Sequence, residues 1–202
     1  MRSIKELVQA NLEIHKSKFW GFGARVESEM AAKAFLTKLK HDYPDATHHV
    51  YAYIIGEEKQ IQRASDDKEP QGTAGMPVMD ILHKNDLSDV IFVVIRYFGG
   101  IKLGAGGLIR AYSFTAQALI DQAELIEKKL IDTLRLTLSY AEMDKAAYLI
   151  KNEALRVETS YQEKVTLEFD LPHDKVSSLK RELENLLSAQ LTFDLIQSNF
   201  RY

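Results

Sequence analysis

The hydrophobic rhythm of this chain of 202 residues changes several times along its length. Residues 18–27 alternate weakly around Phe19, Trp20, Phe22 and Val26 and predict a strand. Residues 29–43 place Met30, Ala34, Phe35 and Leu39 at helical spacing and stop before Pro44, because a residue preceding proline is pushed out of the helical region. Residues 49–55 are rich in β-branched and aromatic side chains and read as a strand, with 60–64 as its returning partner. A polar loop over 65–75 leads to a short helix at 77–83, with proline tolerated in its first turn. Residues 89–98 contain a continuous apolar run, 90–95, that fits a strand buried on both faces. A glycine-rich stretch follows, then a helix over 108–125 with Leu108, Ala111, Tyr112, Thr115, Leu119 and Ala123 on its inner side.

The texture then shifts. Residues 127–132 are charged and read as a connection. From Leu134 the pattern predicts strand 134–140, helix 142–153, strands 155–161 and 164–171, helix 173–187 and strand 191–197. Val176, Leu179, Leu183 and Leu186 mark the inner face of the last helix. A β-α-β-β-α-β order is the ferredoxin-like arrangement. The expected fold class is therefore α+β in two domains, 1–127 and 133–202.

Composition narrows the chemistry. There is no cysteine, so disulfides, thiol nucleophiles, iron–sulfur clusters and thiolate zinc sites are excluded. The net charge of -3 argues against a protein that coats nucleic acid by bulk charge. Both halves share that balance, with net charges of -1 over residues 1–125 and -2 over 126–202. The first residues lack the apolar core of a signal peptide, and the longest apolar run is far short of the ~20 residues of a membrane helix. The cytoplasm is the expected compartment, with no membrane partner.

One local feature departs from the average. Five of the 10 glycines, Gly99, Gly100, Gly104, Gly106 and Gly107, fall in one short window. Residues 90–120 contain no Asp or Glu but hold Arg96, Lys102 and Arg110. Glycines between a strand and a helix let backbone amides approach an anion, and the helix dipole favours negative charge at its start. Ala105 after Gly104 breaks the Walker pattern, and Ile109 stands where a dinucleotide fingerprint needs its third glycine. The alternative is a tight connection that needs glycine only for packing. The candidate anion or nucleic-acid site is Arg96, Tyr97, Gly99, Gly100, Lys102, Gly104, Gly106, Gly107 and Arg110, with Tyr97 and Phe98 able to stack a base.

The loop over 63–75 is the second candidate, through Arg63, Ser65, Asp66, Asp67, Glu69, Gly72 and Thr73. Its three carboxylates could hold Mg²⁺ or supply a general base. They could also bond their own backbone, or pair with Arg96 or Arg110 and tie the two loops together. His48 and His49 are adjacent and point to opposite faces of a strand, so they cannot form a local metal pair. One is expected buried and hydrogen-bonded, the other exposed. No metal, cofactor or catalytic residue is assigned.

The segments Ser65-Asp-Asp-x-Glu-Pro-x-Gly-Thr-Ala-Gly75 with Pro77, Arg96-Tyr-Phe-Gly-Gly-Ile-x-Leu-Gly-x-Gly-Gly-Leu-x-Arg-Ala-Tyr112 and Asp45-Ala-x-His-His49 resemble the YigZ/IMPACT family. The resemblance covers the whole chain, in the manner of the two-domain bacterial members. It implies an N-terminal β/α sandwich resembling the second domain of a small-subunit ribosomal protein. The C-terminal ferredoxin-like domain is expected to resemble the last domain of elongation factor G. Eukaryotic members are similar only in the first domain and regulate translation by competing for the activator of a general-control kinase. Family members often carry glycine where Lys68 stands and a basic residue where Met76 stands. Lys68 weakens a metal site in that loop, and Met76 removes a positive charge near a helix start.

Three functions follow as expectations. The first is a translation-associated regulator binding RNA or the ribosome through the glycine loop. The second is a metal-dependent enzyme on a phosphate-containing small molecule, using Asp66, Asp67 and Glu69. The third is a regulatory module that binds a protein partner. A binding protein is preferred to an enzyme.

Overall fold

The computed structural model describes residues 1–202. The chain divides into two units, Met1–Glu127 and Lys128–Tyr202.

The first unit runs β1 (Arg2–Ile4), β2 (Val8–Ile14), β3 (Ser17–Arg25), α1 (Glu29–Asp42), β4 (His48–Ile55), β5 (Ile61–Ser65), α2 (Gly75–Lys84), β6 (Val90–Tyr97), α3 (Gly104–Gln122) and β7 (Leu125–Glu127). Five strands form an antiparallel sheet in the order β2-β3-β6-β4-β5. The apolar run 90–95 is therefore the central strand β6, and both its faces are covered. Ile91, Val93 and Ile95 pack with α1 through Ala32 and Leu39. Val90, Phe92 and Val94 pack with α2 and α3 through Val78, Leu82, Leu108, Ala111 and Leu119. Ser28 starts α1 by accepting the Ala31 N–H on its hydroxyl.

The second unit runs β8 (Lys129–Leu138), α4 (Tyr140–Glu153), β9 (Arg156–Tyr161), β10 (Val165–Pro172), α5 (His173–Leu187) and β11 (Asp194–Arg201). Its antiparallel sheet has the order β11-β8-β10-β9, the strand order of the ferredoxin-like arrangement. Leu134, Leu136, Leu138, Leu167, Phe169 and Leu171 form its core with Ala146, Ile150, Leu179 and Leu183 from the two helices. The two-domain α+β architecture expected from sequence is the architecture observed.

Several boundaries differ from the pattern reading, each for a local reason. Two strands were not expected: β1 is only three residues long, and β2 does alternate, with Val8, Ala10, Leu12 and Ile14 on its inner side, an alternation the pattern reading passed over. Helix α3 begins at Gly104 rather than 108, inside the glycine window, and ends at Gln122. The segment expected as a charged connection, 127–132, is largely strand: β7 pairs with β1, and β8 starts at Lys129. Tyr140 belongs to α4 because Ser139 and Glu142 form a reciprocal capping box just before it. The last strand is shifted to Asp194–Arg201 because Leu191 instead sits in the core, with its N–H donated to Glu184. No helix is long and apolar enough to cross a membrane.

Candidate functional site

Two loops at the same end of the central strands carry the candidate residues. His48 pairs with Arg96 in register, so the start of β4 and the end of β6 lie side by side. The loop after β5 reaches back to this end.

Within that loop the three carboxylates separate. Asp66 accepts the N–H groups of Ala74 and Gly75 on Oδ1 at 3.0 and 2.8 Å, and that of Gly72 on Oδ2 at 2.9 Å. It caps the start of α2, satisfying amides that the helix itself leaves free. Asp67 accepts the His49 N–H at 2.6 Å, and its carbonyl accepts the Nδ1–H of His48 at 2.7 Å. Glu69 is buried; its Oε1 accepts from Arg96 Nη1 at 2.6 Å and from the Tyr112 hydroxyl at 2.8 Å. Each acid is thus bound to separate protein groups, and no cluster of three or more His, Asp or Glu that could hold a metal ion is present. Of the alternatives for this loop, backbone bonding describes Asp66 and Asp67, and pairing with Arg96 describes Glu69. Ser65 accepts the Asp67 N–H, Thr73 donates to the Pro70 carbonyl, and Arg63 is exposed on β5.

Arg96 is buried rather than presented to a ligand. Its guanidinium lies between the rings of Phe19 and Phe98, at 5.4 and 5.5 Å, and also donates to Ser17 Oγ. Burial, reinforced by the negative charge of Glu69, pushes the Tyr112 phenol far above its ordinary pKa, so it remains a donor. Loop 63–75, strand β6 and helix α3 are pinned at one carboxylate. His49 is buried as expected, but its Nε2 finds no hydrogen-bond partner; its neighbour His48 is half-buried and bonded, not exposed. Burial holds the His49 imidazole below its ordinary value.

The glycine window is built differently. Gly99 packs onto the hairpin turn between β2 and β3: a Cβ there would collide with the carbonyl group of Lys16. Gly100 and Gly104 have φ of 81° and 69°, the left-handed region that favours glycine. Gly106 meets neither demand, since a Cβ would find only Arg110 Nη1 at 4.0 Å. Gly107 lies in the first turn against Leu103. No side chain caps α3 and no acid stands in its first turn. Lys102 and Arg110 are exposed beside it, and Tyr97 is half-buried at the end of β6.

What sequence reasoning missed is the hairpin turn. Lys16 and Lys18 flank the start of β3 and, with Trp20, Tyr97 and Phe98, line an open cavity. The available signal was the pair of lysines around an isolated aromatic strand.

This is a two-domain α+β protein with one sealed and one open helix start in its first domain. Residues 15–120 match the Impact N-terminal domain, and residues 136–190 match a domain of unknown function (DUF1949). The chain is 36% identical over 202 residues to the IMPACT family member YvyE of Bacillus subtilis, covering 95% of this chain and 92% of that one. It is 32% identical over 182 residues to the IMPACT family member YigZ of Escherichia coli, covering 89% of each. The solved structure of a hypothetical protein, 30% identical, overlaps 97% of both chains with a TM-score of 0.63. The chain belongs to the IMPACT family.

Proposed function

We propose that this protein is a translation-associated regulator that binds RNA, on the ribosome or free, through the glycine-loop end of its first unit. The observation that carries the reading is the uncapped start of α3, with exposed Lys102 and Arg110 beside it and no acid between residues 90 and 120. Free amides, a helix dipole and two cations suit a phosphate backbone, whatever its sequence. Arg96 is left out of the contacts because its charge is engaged by Glu69. The family resemblance supplies the link to translation.

Sedimentation of a cell extract with and without nuclease tests this. The protein is expected to travel with ribosomes, and Lys102→Glu/Arg110→Glu to remain at the top of the gradient. Wild-type protein that stays at the top in both conditions, and binds no RNA in solution, overturns the reading. A protein partner is the second reading, favoured by Ile109 and Phe114, 42% and 58% exposed on α3. It predicts a complex that survives nuclease.

A further inference from the structure

Where β3 begins and β6 ends, an open cavity of about 380 Å³ is lined by Lys16, Lys18, Trp20, Tyr97 and Phe98. Two lysines and three aromatic residues line it, and none of the lining residues is acidic. The rings are already held in place. Trp20 meets Tyr43 at 5.4 Å and Tyr97 at 5.2 Å between centroids. Phe98 rests over the buried Arg96 guanidinium, donates its N–H to Thr47 Oγ1, and remains 47% exposed. One face of Phe98 is backed by a fixed cation while much of its ring stays open to solvent.

The lysine-bearing turn is equally constrained. His15 and Lys16 both take positive φ, 47° and 64°, in a two-residue hairpin closed by Ile14 and Ser17. Asn-Gly fits such a turn without strain, whereas these two side chains do not. Gly99 packs against the Lys16 carbonyl and donates to Ser17 Oγ, so the turn and the glycine loop form one surface. A strained lysine held beside a fixed aromatic platform suits a ligand that is both planar and anionic.

We infer that this cavity stacks an unpaired base of single-stranded RNA, with Lys16 and Lys18 on the flanking phosphates. The inference rests on the RNA-binding reading above and names the form of RNA recognised. Duplex RNA hides its base faces and cannot use three aromatic rings, whereas a splayed-out base can.

Trp20 is the only tryptophan and lines this cavity, so the protein's tryptophan emission comes from its wall. The full chain is titrated with a short oligoadenylate and with a blunt RNA duplex. The single strand is expected to quench Trp20 and to bind more tightly than the duplex. Phe98→Ala weakens the single strand by about tenfold without changing the salt dependence. Lys16→Ala/Lys18→Ala lowers the slope of log affinity against log salt by roughly 0.7 for each lost phosphate contact. Lys16 and Lys18 are exposed, so their variant is expected to melt with the wild type; Phe98 also covers Arg96, so Phe98→Leu, which keeps an apolar cover without a ring, is compared with Phe98→Ala and is expected to lose affinity with a smaller change in melting. Tight RNA binding with unchanged Trp20 emission and a silent Phe98→Ala overturns the cavity assignment while leaving the RNA-binding reading in place. Preference for the duplex does the same. Failure of oligoadenylate, duplex and ribosomes alike to bind overturns both.

Discussion

Helices α2 and α3 begin alike in sequence and unlike in structure. Each starts on a glycine after a loop that leaves a strand of the same sheet. At α2 the carboxylate of Asp66 accepts three backbone N–H groups of the loop and first turn. At α3 no side chain takes that role, and the nearby charges are cations. A carboxylate supplied from within makes a helix start part of the scaffold. A start without one keeps its dipole and amides available for an anion from outside. The difference separates a helix start that its own chain closes from one that it leaves open, within one domain.

The largest expected effect lies where the sealed loop meets β6. Arg96→Ala leaves Glu69 buried with its charge uncompensated and is expected to lose about 3–5 kcal/mol in chemical denaturation. Any loss of RNA binding in that variant then reports unfolding, not a missing phosphate contact. Asp66→Ala uncaps α2 and is expected to cost about 1–2 kcal/mol. Lys102→Ala at the open start should stay within about 0.5 kcal/mol of wild type. Equal losses at the two positions would erase the contrast. Gly106→Ala adds a methyl group into open space on an exposed helical turn. It is expected to raise stability by up to about 1 kcal/mol, and to weaken RNA binding if the backbone at this turn is approached closely. A stabilised variant with full affinity would remove Gly106 from the contact surface.

The smallest effect is a pH dependence. His49, whose N–H is held by Asp67, is kept below its ordinary value of 6.5 by burial. Above that value both folded and unfolded chains are neutral there, and stability is flat. As pH falls below it, the unfolded chain takes the proton first, so stability declines. Thermal melts from neutral to mildly acidic pH should show that decline in the wild type and a shallower one in His49→Gln.

How far this was legible can be judged from particular residues. The doubly buried strand was written in the run 90–95, because only a fully covered position tolerates six apolar side chains in sequence. The β-α-β-β-α-β order of the second unit was legible from periodicity alone. Strand β1 was not, because three residues hold their place by pairing with β7, more than a hundred positions away. The glycine window was visible as a candidate, but the inward turn of Arg96 was not. It depends on Glu69, which reaches β6 only after the loop folds back. Lys68, a non-glycine residue, adopts φ of 72°, a backbone strain that the loop's polar composition did not announce.

The short β1–β7 ribbon has a consequence for how such chains diversify. It fastens Arg2 to Glu127, so the first unit closes on itself with its two ends side by side. A module clasped in this way can gain or shed whatever follows residue 127 without opening its own sheet. Its ends could equally be joined and new ones cut in a surface turn. A circularly permuted 1–127 should still fold.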